Sequence, residues 1–446
     1  MKRVAVIGGG FAGLSAGVAL ASKGFDVTVV EGRPYLGGRA RSFHDPESDT
    51  IVDNGQHAMM GCYTETLRFF ARINAERKLV RQPNLRVHLV DPQRGSGVIA
   101  CPALPGPLHM LAAVLGYRLL SVRERLLALR GGAQLLQMRR RRDPRLTTWT
   151  VAQLLSALRQ SPNACASFWH PVAIATLNET PERAAAAPFA EVLARAFFGN
   201  RAASQFVLPA VGLSELYTDD ARRFVEQRGG RVTVRAQVQG LTMTDERVVG
   251  LSLRDGADLP TDACIAAVPP RSLSPLLPRD VLPALDTPDV FGSSPIVSTH
   301  LWFDRPVLPY EFLGLIGTTT HWLFNRTTLT SQPSRDAGEC VSAVISADRA
   351  VADWDTDRIA ATVIADVRRV LPAARDARCV RSVVVKEKQA TIATTPAADA
   401  QRPQASTGIP NLFLASDWIA TGLPPTIESA VQSGHHAADL VAAHLQ

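Results

Sequence analysis

Residues 51–63 read IVDNGQHAMMGCY. The five positions Asp53-Asn54-Gly55-Gln56-His57 crowd an acid, two carboxamides and an imidazole behind a short apolar strand. Polar side chains gathered at a strand end suggest a site, because loops held by a rigid scaffold carry binding and chemistry. Taken alone, the run is compatible with a cofactor contact, with chemistry, or with a simple turn. Which of these applies depends on what the rest of the chain brings beside it.

A second group lies upstream. Residues 3–30, RVAVIGGGFAGLSAGVALASKGFDVTVV, give an apolar strand, a glycine turn, a helix of small residues and another apolar strand. Gly8, Gly10 and Gly13 stand at G-x-G-x-x-G spacing, and Glu31 follows eighteen residues later. In a dinucleotide-binding βαβ unit the first glycine permits a tight turn and the second lets backbone approach the pyrophosphate. The third lets helix pack on strand, and the helix N-terminus faces the phosphates. Glu31 is expected to take ribose hydroxyls and to repel a 2′-phosphate; a bare glycine turn would leave it unexplained. Gly37-Gly38-Arg39-Ala40-Arg41 follows and suits a loop around a pyrophosphate and flavin ring, where Arg39 can offset cofactor charge. The expected cofactor is therefore FAD. This E-x5-GGRA arrangement resembles the flavin amine oxidase and phytoene desaturase superfamily.

The elements that must position these groups return near the other end. Residues 411–415 read as a strand ending at Ser416-Asp417, and a helix over 426–440 follows the Pro424-Pro425 turn, with Thr426 as N-cap. Asp417, Thr426 and Ile427 are thereby offered to a ribityl chain and a flavin carbonyl. The superfamily usually has Gly-Asp where this chain has Ser-Asp. Between the ends, Gly229-Gly230-Arg231 opens a strand; Val238 aligns with the apolar residue that the superfamily brings to the adenine. The expected fold is α/β, a discontinuous Rossmann-like FAD-binding domain with a second α+β substrate domain. The FAD-binding pieces are 1–80, 205–275 and 400–446, and the substrate pieces are 81–204 and 276–399.

The substrate pieces read as helix-rich over 108–160, as strands over 296–346, and as a helix over 356–371 with one apolar face. Trp169, His170, Asn178, Trp302, His321, Trp322 and Phe324 are candidate pocket groups, although core packing alone would account for any single tryptophan. No charged clamp for an acid or phosphate is evident, so a lipid substrate would bind through buried apolar area, at ~25 cal/mol per Å².

Composition narrows the setting. Six scattered cysteines without a C-x-x-C pair point to reduced thiols in a cytoplasmic protein, with no metal site. The N-terminus lacks the basic head and apolar core of a signal peptide. The uncharged run 98–117 is broken by Pro102, Pro105, Gly106 and Pro107, leaving about ten helical residues, too few to span a bilayer. Segment 118–145 carries nine arginines against Glu124 and Asp143, which equals the whole chain's net charge of +7. It reads either as a solvated helix face or as a basic edge resting on anionic membrane lipid in a peripheral contact. Nucleic acid is not expected, since no stacking aromatics interleave with these arginines.

Four blocks sharpen the resemblance: Asp53-Asn54-Gly55-Gln56-His57 with Gly61-Cys62-Tyr63; Leu177-Asn178-Glu179-Thr180-Pro181; Pro209-x-x-x-Leu213-Ser214; and Asp417-Trp418-x-x-Thr421-Gly422-Leu423-Pro424-x-Thr426-Ile427-Glu428. Together they resemble, nearly end to end, the squalene-associated FAD-dependent desaturase family, the hydroxysqualene dehydroxylases. Asn178-Glu179-Thr180 departs from the expected Asn-Thr before proline, and the segment 217–224 has diverged. The resemblance implies reductive removal of the allylic hydroxyl of hydroxysqualene, giving squalene for hopanoid biosynthesis. On that reading Gly55 and Gln56 meet the flavin. His57, or else Glu428, gives the departing hydroxyl its proton, while Trp169, Trp302 and Trp322 with Asn178 line the substrate. No motif identifies the external electron donor. The alternatives are a carotenoid or polyprenoid desaturase running hydride toward FAD, and a non-redox prenyl-lipid escort protein, for which an eroded glycine fingerprint would be expected. An amine oxidase is disfavoured because, of five lysines, only Lys386 or Lys388 could serve near the flavin.

Overall fold

Strand Arg3–Ile7 is apolar at every inner position because both of its faces are covered. In the computed structural model, which describes residues 1–287, 289–330 and 338–446, it is the middle strand of a five-stranded parallel sheet. The order across the sheet is Arg231–Val234, Asp26–Glu31, Arg3–Ile7, Ala263–Ala266, Leu412–Leu414. Alternation splits the side chains: Val4, Val6, Val27, Val29 and Ile265 pack under helices, whereas Ala5, Ile7, Val30, Cys264 and Leu414 face the opposite core. A three-stranded antiparallel sheet, Val238–Thr244, Arg247–Leu253 and Asp258–Pro260, covers that second face.

Helix Phe11–Ser22 follows the glycine turn, and helix Ile427–Leu445 packs directly against it. Their approach is close: a Cβ on Gly434 would stand 2.3 Å from the Ala12 carbonyl oxygen. Two stretches far apart in sequence thus meet at one end of the parallel sheet.

The second sheet has seven strands in the order Cys379–Thr391, Ser294–Phe303, Glu339–Ser346, Trp322–Asn325, Phe312–Leu315, Arg86–Asp91, Gly95–Ala100. Its neighbours are antiparallel except Phe312–Leu315 with Arg86–Asp91. Val297, Leu301, Val341, Ala343 and Ile345 face helix Thr356–Val370. The alternate positions, among them Phe312, Phe324 and Val344, face the helical layer of Leu108–Gly116, Val122–Arg140 and Ala186–Phe197. The period-2 pattern of the strands therefore builds a core on one face and a chamber wall on the other. The long edge strand Cys379–Thr391 and the hairpin Arg86–Ala100 were not apparent from the sequence pattern.

Candidate functional site

A single cavity of about 750 Å³ runs from the glycine turn to the helical layer. At one end lie Gly8, Gly10, Glu31, Gly38, Arg39, Asp417, Thr426 and Ile427; at the other, Trp169, Phe206, Phe312, Trp322 and Phe324; Asn54 to Ala58 stand between.

The glycine end is built by close approach. Gly8 has φ +109°, and a Cβ there would meet the Ala267 carbonyl oxygen at 2.5 Å; one on Gly13 would meet the Gly8 oxygen at 1.9 Å. Gly10, by contrast, has nothing nearer than 4.0 Å. Helix Phe11–Ser22 begins there with no side-chain cap and no acid in its first turn, so its free N–H groups are available to an anion. Glu31 is anchored by the Gly9 and Arg33 amides, both at 2.8 Å, and its remaining lone pairs can accept ribose hydroxyls. Helix Ile427–Leu445 aims a second N-terminus at the cavity, where the Thr426 hydroxyl caps it by accepting from the Ser429 amide. An uncapped helix start beside an open glycine, a carboxylate and a second helix start fit a dinucleotide carrying a flavin.

Arg39 differs in detail from expectation. Its guanidinium donates to Asp417 Oδ1 at 2.6 Å and to the Ala390 carbonyl at 2.8 Å, so its charge is already paired. Ser416, standing where a glycine was expected, donates to the same Asp417 oxygen at 2.9 Å. Two residues not foreseen hold these loops. Tyr217 donates to the carbonyls of Gly37 and Ala40 and stacks on Phe11 at 3.8 Å between centroids. Arg402 is buried and donates to the carbonyls of Asp417 and Leu423.

The Asp53–His57 run separates into supports and a working edge. Asp53 accepts from Ser42 Oγ at 2.7 Å and the Leu213 amide at 3.0 Å, and pairs with Arg326 at 3.0 Å. Arg326 also donates to Gln56 Oε1 at 3.2 Å. This orients the Gln56 carboxamide, whose buried Nε2 has no hydrogen-bond partner among the described residues and which lines the cavity. Gly55 and His57 line it too. The His57 Nδ1–H donates to the Gly55 carbonyl at 2.8 Å, which leaves the Nε2 lone pair free. Burial holds the His57 pKa below its usual 6.5, with Arg39 adding to the fall, against the raising influence of the Gly55 carbonyl and Asp53. Beneath the run, His300 donates to the Asp53 carbonyl at 3.0 Å and accepts from Ser342; burial first, then Arg326, drive its pKa down to about 4.

Several expectations are corrected. Glu428 does not face the cavity; its carboxylate accepts from the Glu65 amide (2.9 Å), the Thr66 amide (2.9 Å) and Thr66 Oγ1 (2.7 Å), capping helix Thr64–Arg72. A proton donor needs access to substrate, and Glu428 has none. Trp302 is 1% exposed at the far end of strand Ser294–Phe303, beside Arg381 and away from the cavity that Ile296 of the same strand reaches. Val238 begins its strand opposite Leu253 and packs into the core behind the parallel sheet, outside the cavity wall. Asn178 lines the cavity, but its carboxamide is committed to Ser294, Thr391 and Ala347 in a left-handed helix cap. His170 and His321 also lie off the wall, whereas Trp169, Trp322 and Phe324 are on it. Lys386 and Lys388 are engaged by Trp354 and Asp353 and do not reach the cavity, which removes the lysine an amine oxidase reading required. Among the described residues no cluster of metal ligands forms.

Residues 11–442 match the family of flavin containing amine oxidoreductases. The chain is 29% identical to a hydroxysqualene dehydroxylase of Sinorhizobium fredii, covering 98% of each chain. It is 30% identical to a hydroxysqualene dehydroxylase of Rhodopseudomonas palustris, covering 99% of each. Among solved structures it resembles an oxidoreductase from Methanosarcina mazei with TM-score 0.76 at 14% identity, over 98% of this chain and 100% of the other, a likeness of fold.

Proposed function

The chain belongs to the flavin containing amine oxidoreductase family and is an FAD-dependent oxidoreductase, and from this premise we propose that it reductively removes the allylic hydroxyl of hydroxysqualene to give squalene. One observation carries the reading: the cavity is continuous, charged at the glycine end, where Glu387 lines it within reach of Arg39, and apolar over the walls farther from it. None of the described wall residues contributed by 85–206 and 296–346 is charged. That apolar end offers no counter-charge to an amine or a carboxylate and pays for a polyprenoid through buried apolar area, ~25 cal/mol per Å².

When bound in its reduced form, FAD would supply a hydride to the allylic carbon as the oxygen departs. The chain's own residues must then protonate that oxygen so that it leaves as water. His57 stands where the polar and apolar ends meet, with Nδ1 fixed on the Gly55 carbonyl and Nε2 free. A proton carried on Nε2 is given up readily, because burial disfavours the imidazolium. Trp169 and Trp322 line the apolar end, where ring faces can stabilise an allylic cation, and the apolar wall keeps bulk water from capturing it. Gly8 and Gly10 with Glu31, Gly38, Asp417, Thr426 and Ile427 would hold the cofactor, Gly13 lets the helix pack against the glycine turn, and Gly55 and Gln56 would approach the flavin at the substrate side.

A substrate of this kind resides in membranes. We assign the protein to the cytoplasmic side, resting on anionic lipid through the arginine-rich segment 118–145; no helix among the described residues is long and apolar enough to cross a membrane. The test is product analysis. Anaerobic, reduced enzyme should convert hydroxysqualene to squalene; failure to do so, with desaturation of phytoene by the oxidised enzyme, would replace this reading with that of a desaturase.

A further inference from the structure

Large apolar side chains are exposed in one concentrated stretch: Leu104, Leu108, Leu111, Leu115, Val122 and Leu126 are each between 40% and 68% accessible. Leu108, Leu111 and Leu115 lie at i, i+3 and i+7 of helix Leu108–Gly116 and so form one outer stripe; Val122 and Leu126 do the same at i and i+4 of the adjoining helix Val122–Arg140. Arg125 locks the two helices together by donating to the carbonyls of Leu115 at 2.8 Å and Leu120 at 2.9 Å. Single exposed leucines are ordinary on a protein surface, but a contiguous patch marks an interaction face.

The same helix is also the cavity wall. Its inner residues Met110 and Val114 line the cavity, and Leu108 and Leu111 are at once cavity lining and outer surface. The cavity therefore opens through the patch. Around it the charge is of one sign: Arg118, Arg123 and Arg130 are exposed, while Glu124 is tied into a capping box with Ser121 and to Asn163. A two-fold contact with a second copy would set arginine against arginine, whereas anionic headgroups complement the rim and acyl chains complement the leucines.

We propose that this face seats in an anionic lipid bilayer and that the cavity mouth between Leu108 and Leu111 opens into the acyl-chain region, so that the substrate passes from lipid to active site without crossing water. The proposal rests on the polyprenoid reading above for its cargo, and on the patch alone for its surface.

The test uses flavin-loaded protein with vesicles of phosphatidylcholine alone, or of equal parts phosphatidylcholine and phosphatidylglycerol. Wild type should sediment with the anionic vesicles, and less so in high salt. Leu115→Glu/Leu126→Glu changes two patch residues that do not line the cavity. This variant should lose vesicle binding at least about fivefold, keep its flavin absorbance, keep its turnover of detergent-dispersed hydroxysqualene, and lose turnover of the vesicle-embedded form. Arg118→Glu/Arg123→Glu should behave alike and guards against misfolding of the first variant. Equal sedimentation of wild type and both variants overturns the proposal, as does a wild-type dimer in solution that Leu115→Glu splits. If wild type turns over neither form while the variants still lose vesicle binding, the substrate reading fails and the docking face stands.

Discussion

Arg326 and Asp53 meet at 3.0 Å with side chains 5% and 1% exposed, a buried ion pair directly behind the residues that line the junction of the cavity. The pair bridges strand Thr50–Asp53 and the start of helix Arg326–Thr330, and Arg326 passes its orientation on to Gln56. Removing one partner leaves the other charge buried and uncompensated. Arg326→Leu is therefore expected to cost roughly 3–5 kcal/mol, measured by thermal or denaturant unfolding. Adding Asp53→Asn should recover part of the loss, and no recovery would mean the pair is not the source.

His57 carries the proposed chemistry, and its depressed pKa fixes the sign of a pH effect. Protonated His57 is the active acid, so kcat/KM with hydroxysqualene should fall as pH rises through a pKa below 6.5. His57→Ala should lower turnover by about 10²-fold or more and abolish that limb of the profile. Unchanged turnover in the variant sinks the assignment.

His300 should govern acid stability. A histidine at 6.5 in the unfolded chain and about 4 in the folded protein contributes stability that is complete above pH 6.5 and is lost as pH falls toward 4. With about 1.4 kcal/mol per pH unit, the loss amounts to roughly 3 kcal/mol. Melting temperatures recorded between these limits should drop less steeply in His300→Gln, which keeps a donor for the Asp53 carbonyl but cannot charge. Parallel curves for the two proteins would contradict this origin.

Gly10 separates binding from folding. A Cβ there meets nothing within 4.0 Å, whereas one on Gly13 strikes the Gly8 oxygen at 1.9 Å. Gly10→Ala is expected to fold with wild-type melting temperature when stripped of flavin, yet to bind FAD at least about tenfold more weakly in a fluorescence titration. Gly13→Ala is expected to damage the fold itself. Equal affinity for FAD in Gly10→Ala would move the pyrophosphate elsewhere.

The parts of this site that the sequence revealed are those written locally. The glycine spacing, Glu31 and the Thr426 cap each depend on neighbours within a turn or a βαβ unit, and Gly8, Gly10, Glu31 and Thr426 stand on the cavity. What escaped is what long-range partners decide. Glu428 follows directly on Thr426 and Ile427, which line the cavity, yet its partner Thr66 is 362 residues away and turns it into a helix cap. Strand alternation correctly puts Trp302 on the face that Ile296 shares, but cannot tell that the cavity ends before reaching it. Arg326 was hidden at the end of a strand-like run, because its importance comes from Gln56, 270 residues earlier. Tyr217 fell in a segment that looked merely diverged, although it pins the second glycine turn.

The packing of helix Ile427–Leu445 onto helix Phe11–Ser22 has a consequence for cofactor retention. The glycine turn is translated first, but strand Leu412–Leu414 closes the edge of the parallel sheet and Thr426 supplies the second helix start. A chain that lacks the strand and the helix start therefore carries only half of the nucleotide site. Retention of flavin is therefore expected to report on the joining of these two distant stretches, not on either one alone.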